Sequence, residues 1–238
     1  MSHGPTPVCA LTFDVFGTLV DWRGSIADEA ERLLGAGHPG ADWARFADAW
    51  RERYQPSLER VRSGAVGWTP LDELHAASLA EVLDELGLAA PAPVRRELVL
   101  AWHRLRPWPD VPDGMRRLSA RYVLATLSNG NVGLLDDLVR AAGLTVHHVI
   151  SAEHARGYKP QPHVYLTAVR RLGLEPGEVM MVAAHWDDLE GARARGLRTA
   201  FVRRPLEWGS AAPPDLERRP WVDAYATDLV DLAGALRA

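Results

Sequence analysis

Apolar residues follow two rhythms along the chain. The run Val8-Cys9-Ala10-Leu11-Thr12-Phe13 is short and apolar and stops at Asp14 and the Gly17-Thr18 pair. This predicts a buried strand running into a loop, with Cys9 in the core. From about Arg23 to Arg104 the spacing turns helical, in stretches near 25–35, 41–63, 70–86 and 91–104 separated by Gly and Pro signals. Pro56 falls inside the second stretch and is expected to kink or end that helix, because it removes a backbone donor and clashes with the preceding turn. Beyond Pro107, strand-like runs (Tyr122–Leu127, Val146–Ile150, Val179–Ala183, Thr199–Val202) alternate with helical ones (Asn131–Ala142, His163–Leu172, Asp188–Arg195).

Strand and helix in alternation predict an α/β fold, a Rossmann-like parallel-sheet core with helices on both faces. The core is expected from residues 1–20 and 106–238, and the helical block at 21–105 reads as an inserted domain. In such sheets the ligand crevice lies beyond the carboxyl ends of the strands. The positions to question are therefore Asp14, Ser128, Asn129, Lys159 and the cluster from Ala183 to Asp188. The region from Pro205 to Pro220 reads as an exposed loop.

Composition narrows the class. The chain has 238 residues, 47% of them hydrophobic, enough for a sizeable core and against disorder of the whole chain. A net charge of −4 gives no electrostatic support to a nucleic-acid partner. One cysteine leaves no disulfide framework and fits a reducing compartment. No apolar run has membrane-spanning length, and the start MSHGPTP lacks the build of a signal peptide, so a soluble cytoplasmic protein is expected. Trp43, Trp50, Trp68, Trp102 and Trp108 are expected mostly in core and inter-domain packing.

Four strand-end signatures stand in order: Phe13-Asp14-Val15-Phe16-Gly17-Thr18, Leu127-Ser128-Asn129-Gly130, Gly157-Tyr158-Lys159-Pro160 and His185-Trp186-Asp187-Asp188. Together, with a helical insert after the first, they resemble the haloacid dehalogenase superfamily over nearly the whole chain. The opening FDVFGTLVD is most similar to the type II 2-haloacid dehalogenases, and the insert takes the place of that family's helical cap.

The residues themselves suit a carboxylate nucleophile. An ordinary Asp titrates near ~3.9, so at neutral pH it attacks without a general base. Phosphatases of the superfamily resemble D-x-D, where the second Asp protonates the leaving oxygen; here that position is Phe16. A halide leaves without a proton, so an aromatic wall is compatible with dehalogenation. Those phosphatases also supply a magnesium-ligating Asp at the position held here by Ala183, a methyl side chain, so no metal and no cofactor are expected.

The resemblance implies the remaining roles. Asp14 attacks the halogen-bearing carbon to give an aspartyl ester that water hydrolyses, and Thr18 bonds the nucleophile. Ser128 and Asn129 hold the substrate carboxylate, Lys159 offsets the gathered negative charge, and Arg51 receives the halide. Tyr165 matches a tyrosine position of the family, and Phe16 and Trp186 shape the substrate pocket. The fourth motif departs from the best-known form, which has serine and asparagine where this chain has Ala183 and His185. Asp188 is the group expected to orient or deprotonate the hydrolytic water, with His185 as helper.

The expected function is hydrolytic dehalogenation of short 2-haloalkanoic acids, with haloacid and halide as partners, no nucleic acid, no membrane, and a homodimer as the family-level expectation. The rivals are a magnesium-dependent phosphatase or phosphonatase, in which Asp187 and Asp188 rebuild a metal site, and a non-catalytic binder of a small carboxylate or a partner protein.

Overall fold

The computed structural model describes residues 7–210 and 214–238. Most of the N-terminal MSHGPTP segment and Pro213 of the expected loop lie outside those residues.

Five parallel strands form the sheet: β1 (Ala10–Phe13), β4 (Val123–Thr126), β5 (Val179–Ala183), β6 (Arg198–Val202) and β7 (Ala224–Ala226), in the order β4-β1-β5-β6-β7. Two short strands, β2 (Val20–Asp21) and β3 (Arg106–Pro107), pair antiparallel where the helical block leaves and rejoins the chain. β1 and β5 are buried along their whole length, as near-continuous apolar strands between two helical layers must be. β1 has β4 on one side and β5 on the other, so strand order switches direction beside it and a crevice opens above Asp14.

The insert contains α1 (Trp22–Leu34), α2 (Trp43–Glu52), α3 (Tyr54–Arg62), α4 (Leu71–Glu85) and α5 (Ala92–Ala101). Asp21 and Asp42 cap α1 and α2 by accepting from Gly24 N and Arg45 N, each tying down a backbone donor that a helix start leaves free. The expected single helix over 41–63 is divided at Arg53, and Pro56 sits in the first turn of α3, where a missing N–H costs little. The core adds α6 (Val111–Leu118), α7 (Val132–Ala141), α8 (Pro162–Leu172), α9 (Trp186–Arg193) and α10 (Leu229–Ala235).

Two expectations are corrected. Val146–Ile150 is not a strand: Ile150 N and O both bond the Thr126 hydroxyl and Leu124 N bonds the His147 ring, so side chains interrupt the backbone pairing with β4 and only an isolated bridge, Ala125 to His148, forms. Cys9 is exposed rather than core, because β1 begins one residue later and Cys9 lies at its solvent end.

The insert is clasped to the core at several points. Tyr158 OH donates to Thr69 O at 2.6 Å, Arg62 Nη1 donates to Lys159 O at 2.8 Å, and His103 bridges Asp72 of α4 and Asp137 of α7. No helix among the described residues is long and apolar enough to cross a membrane.

Candidate active site

A cavity of about 200 Å³ opens at the carboxyl ends of β1 and β5, beneath α2 and α3. That is smaller than the roughly 300–1,000 Å³ of pockets for drug-sized ligands and suits a molecule of a few heavy atoms. Asp14, Phe16, Arg51, Asn129, His185 and Asp188 are among its lining.

Asp14 directly follows β1, its N–H donating to Val182 O at 3.0 Å, so the sheet itself fixes its backbone. One face of its carboxylate is held by Lys159, whose Nζ donates to Asp14 Oδ1 at 2.9 Å and to Asp188 Oδ2 at 2.5 Å. Tyr165 OH donates to Asp188 Oδ1 at 2.8 Å. Lys159 thus stands as the single cation between two buried carboxylates. Burial pushes the Asp14 pKa up, but the Lys159 charge and the His185 hydrogen bond outweigh it and hold Asp14 well below the usual carboxylate range. Asp188 goes the other way, to about 6, because burial and the neighbouring Asp14 charge outweigh Lys159. Lys159 is raised despite its burial, as a cation between two anions should be.

The other face of Asp14 meets Thr18 and His185. Thr18 Oγ1 donates to Asp14 Oδ2 at 2.8 Å and accepts from Ala184 N at 2.9 Å, tying the loop after β1 to the end of β5. His185 Nδ1 lies 3.1 Å from the same Oδ2, and its Nε2 lies 3.0 Å from both oxygens of Glu207. Glu207 is 1% exposed and also accepts from Trp22 Nε1 at 3.1 Å. Burial would lower the His185 pKa, yet the Glu207 and Asp14 carboxylates on either side raise it well above the ordinary value. Glu207, in turn, is lowered against its burial by His185.

Arg51 extends from α2 with its guanidinium 4.1 Å from the centre of the Tyr54 ring and 5.3 Å from that of Trp22. Its Nη1 is buried and has no hydrogen-bond partner among the described residues. A cation stacked on aromatic faces with a spare donor has the chemistry to receive an anion. Asn129 joins core to insert: its Oδ1 accepts from Lys159 N at 2.9 Å and its Nδ2 donates to Tyr54 OH at 3.0 Å.

Asp14, Thr18, Lys159, Asp188, His185, Arg51, Phe16 and Asn129 therefore converge. Ser128, Tyr165 and Trp186 do not line the cavity. Ser128 is fully buried and accepts from Gly130 N at 3.3 Å; Tyr165 lies behind Asp188. Trp186 stacks on Phe201 at 3.9 Å and donates to Asp215 O, since neighbours on the first turn of α9 diverge by about 100° and cannot all face the crevice. The stretch expected as an exposed loop delivers the buried Glu207 and brings Trp208 to the cavity wall. Sequence reasoning missed Glu207, Tyr54 and Trp208, for no periodicity or motif marks them. Among the described residues no group of three His, Cys, Asp or Glu is placed to hold a metal ion.

The haloacid dehalogenase-like hydrolase family matches residues 9–196. (S)-2-haloacid dehalogenase 1 of Pseudomonas sp. (strain CBS-3) is 30% identical over 211 residues, covering 86% of this chain and 90% of the relative. The crystal structure of a defluorinating L-2-haloacid dehalogenase superposes with a TM-score of 0.94 at 43% identity, covering 99% of this chain and 100% of the other. That of the Xanthobacter autotrophicus L-2-haloacid dehalogenase, with chloropropionic acid covalently bound, gives 0.81 at 29% identity, covering 97% and 99%. This chain belongs to the haloacid dehalogenase-like hydrolases, among the (S)-2-haloacid dehalogenases.

Proposed function

We propose that the protein hydrolyses short (S)-2-haloalkanoic acids to 2-hydroxy acids through an ester on Asp14. The observation that carries this reading is the pairing, in one small cavity, of an ionised carboxylate at a strand end with Arg51, whose buried Nη1 has no partner among the described residues. One is a nucleophile, the other a seat for a departing anion.

Asp14 attacks the carbon bearing the halogen from the side opposite the leaving group, inverting that carbon as the halide departs toward Arg51. Phe16 stands where a phosphatase-like enzyme would need an acid, and a halide needs none. The substrate carboxylate lies against Asn129 on the cavity wall, while Lys159 keeps three negative groups compatible in one place. Thr18 fixes the rotamer of Asp14. Water then attacks the Asp14 carbonyl carbon, and the hydroxy acid leaves.

Lys159 Nζ fills the space between Asp14 and Asp188, and Ala183 offers a methyl group where a third carboxylate would be needed; both support catalysis without a metal. The protein is proposed to act in the cytoplasm as a homodimer, which gel filtration tests. The functional test offers purified protein chloroacetate, fluoroacetate, both enantiomers of 2-chloropropionate and a phosphate monoester, with and without EDTA. Halide release that survives EDTA and falls at least about 10⁴-fold in Asp14→Asn is expected. Magnesium-dependent phosphate release would replace this reading with that of a phosphatase.

A further inference from the structure

The dehalogenase reading leaves a buried carboxylate without a task. Glu207 is 1% exposed, comes from the loop after β6, and touches no part of the Asp14–Lys159–Asp188 group. It occupies room that only a glycine leaves: Gly17, at φ +85°, would bring a Cβ to 2.2 Å from a Glu207 oxygen. Burying a carboxylate is costly unless it is paired and hydrogen-bonded. Its partners are Trp22 Nε1 and His185 Nε2, and the other ring nitrogen of His185 faces Asp14 at 3.1 Å. The order Asp14, His185, Glu207 is that of a reacting centre, a base and the group that orients the base.

We infer that Glu207 is a positioning residue that holds His185 to accept the proton of the hydrolytic water, a division of labour that rests on the proposed Asp14 ester. In the resting enzyme the imidazolium lies between two carboxylates and compensates Asp14. Alkylation forms the bond from Asp14 oxygen to substrate carbon and breaks the carbon–halogen bond, whose electron pair leaves with the halide. The Asp14 charge disappears in that step.

Both neighbours of Asp14 feel the loss, with opposite consequences. Asp188, raised partly by Asp14, loses that repulsion while keeping Lys159, and becomes a weaker base. His185 loses one of its two anions and keeps Glu207, so its proton on Nδ1 is released to solvent and a neutral imidazole faces the ester. Water then gives a proton to Nδ1 as its oxygen bonds the Asp14 carbonyl carbon. The tetrahedral centre collapses by breaking its bond to the substrate oxygen, which departs with the hydroxyl proton as the alcohol. Carboxylate and imidazolium are restored; the sum is haloacid plus water giving hydroxy acid, halide and one proton. The charged groups against the ring are Asp14 and Glu207, with Arg51 acting on Glu207 and Lys159 on the far oxygen of Asp14.

The experiment is rapid-quench measurement of chloride from chloroacetate, with intact-protein mass spectrometry of the quenched enzyme, for the wild type, Glu207→Gln and His185→Asn. Both variants are expected to release one chloride per active site in a burst within about threefold of the wild-type rate. They then turn over roughly 10²-fold more slowly, with the carboxymethyl ester accumulating on the protein. Combining the two should add little, since they disable one unit. Wild-type kcat in Glu207→Gln, or loss of burst and turnover in equal measure in a folded variant, overturns the inference. Should Glu207→Gln not fold, His185→Asn, which leaves Glu207 bonded to Trp22, decides by the same criteria. Absence of halide from the wild type would instead sink the underlying reading.

Discussion

The two flanks of Asp14 are built on different plans. On one, Lys159, Asp188 and Tyr165 form a closed chain in which a single ammonium serves two buried carboxylates and a phenol completes the second. On the other, the mostly buried His185 stands between Asp14 and Glu207, a titratable ring whose charge depends on both. The first flank has a fixed cation; the second has one that the reaction can switch off. An enzyme that alternately makes and consumes a negative charge needs both, a permanent counter-charge for the carboxylates that stay and a removable one for the carboxylate that vanishes.

Breaking the fixed flank should have the largest effect. Lys159→Met leaves Asp14 and Asp188 buried and facing each other, and is expected to cost about 3–5 kcal/mol of stability at pH 7 and at least about 10³-fold in halide release. Denaturant unfolding should show the deficit shrinking as pH falls, because without Lys159 the Asp188 pKa, already raised to about 6 with that cation beside it, rises further, and protonating Asp188 removes its repulsion with Asp14.

A sharper probe is Asp188→Asn. In the wild type, halide release should rise with pH through about 6 as Asp188 ionises and shares Lys159 with the nucleophile. The variant should lose that limb of the pH–rate profile and run about 10²-fold slower; a limb that persists unchanged would assign it to another group. The smallest effect belongs to the second flank's outer edge. Trp22→Phe removes one donor from Glu207 and should cost about 2 kcal/mol in thermal unfolding, with the chloride burst unchanged.

The first flank was the legible one. Lys159, in the loop before α8, was marked by its Gly-Tyr-Lys-Pro motif; Asp14 directly follows the buried β1 and Asp188 lies in the first turn of α9 just beyond β5, where a parallel sheet gathers its side chains whatever the connections in between. Their meeting is a property of topology, which alternating strands and helices announce. Glu207 follows no such rule: it lies amid Arg204-Pro205-Leu206-Glu207-Trp208, a segment with no period, and its partners are 22 positions away at His185 and 185 away at Trp22. Trp186 shows the converse. The motif is right, yet a helix start turns adjacent side chains apart, so His185 and Asp188 face the cavity while Trp186 packs on β6. Val146–Ile150 has the composition of a strand, but the Thr126 hydroxyl takes both backbone groups of Ile150 and no ladder forms.

The short pair β2–β3 carries a consequence for how such enzymes diversify. Val20 stands opposite Pro107 and Asp21 opposite Arg106, so the chain departs from the sheet domain and returns to it through one doorway, about one strand spacing wide. To the core, everything between is a single long loop whose anchor points never move. Mutation can therefore lengthen, shorten or resurface that excursion, altering which acids fit beneath it, while the register that aims Asp14 is inherited intact.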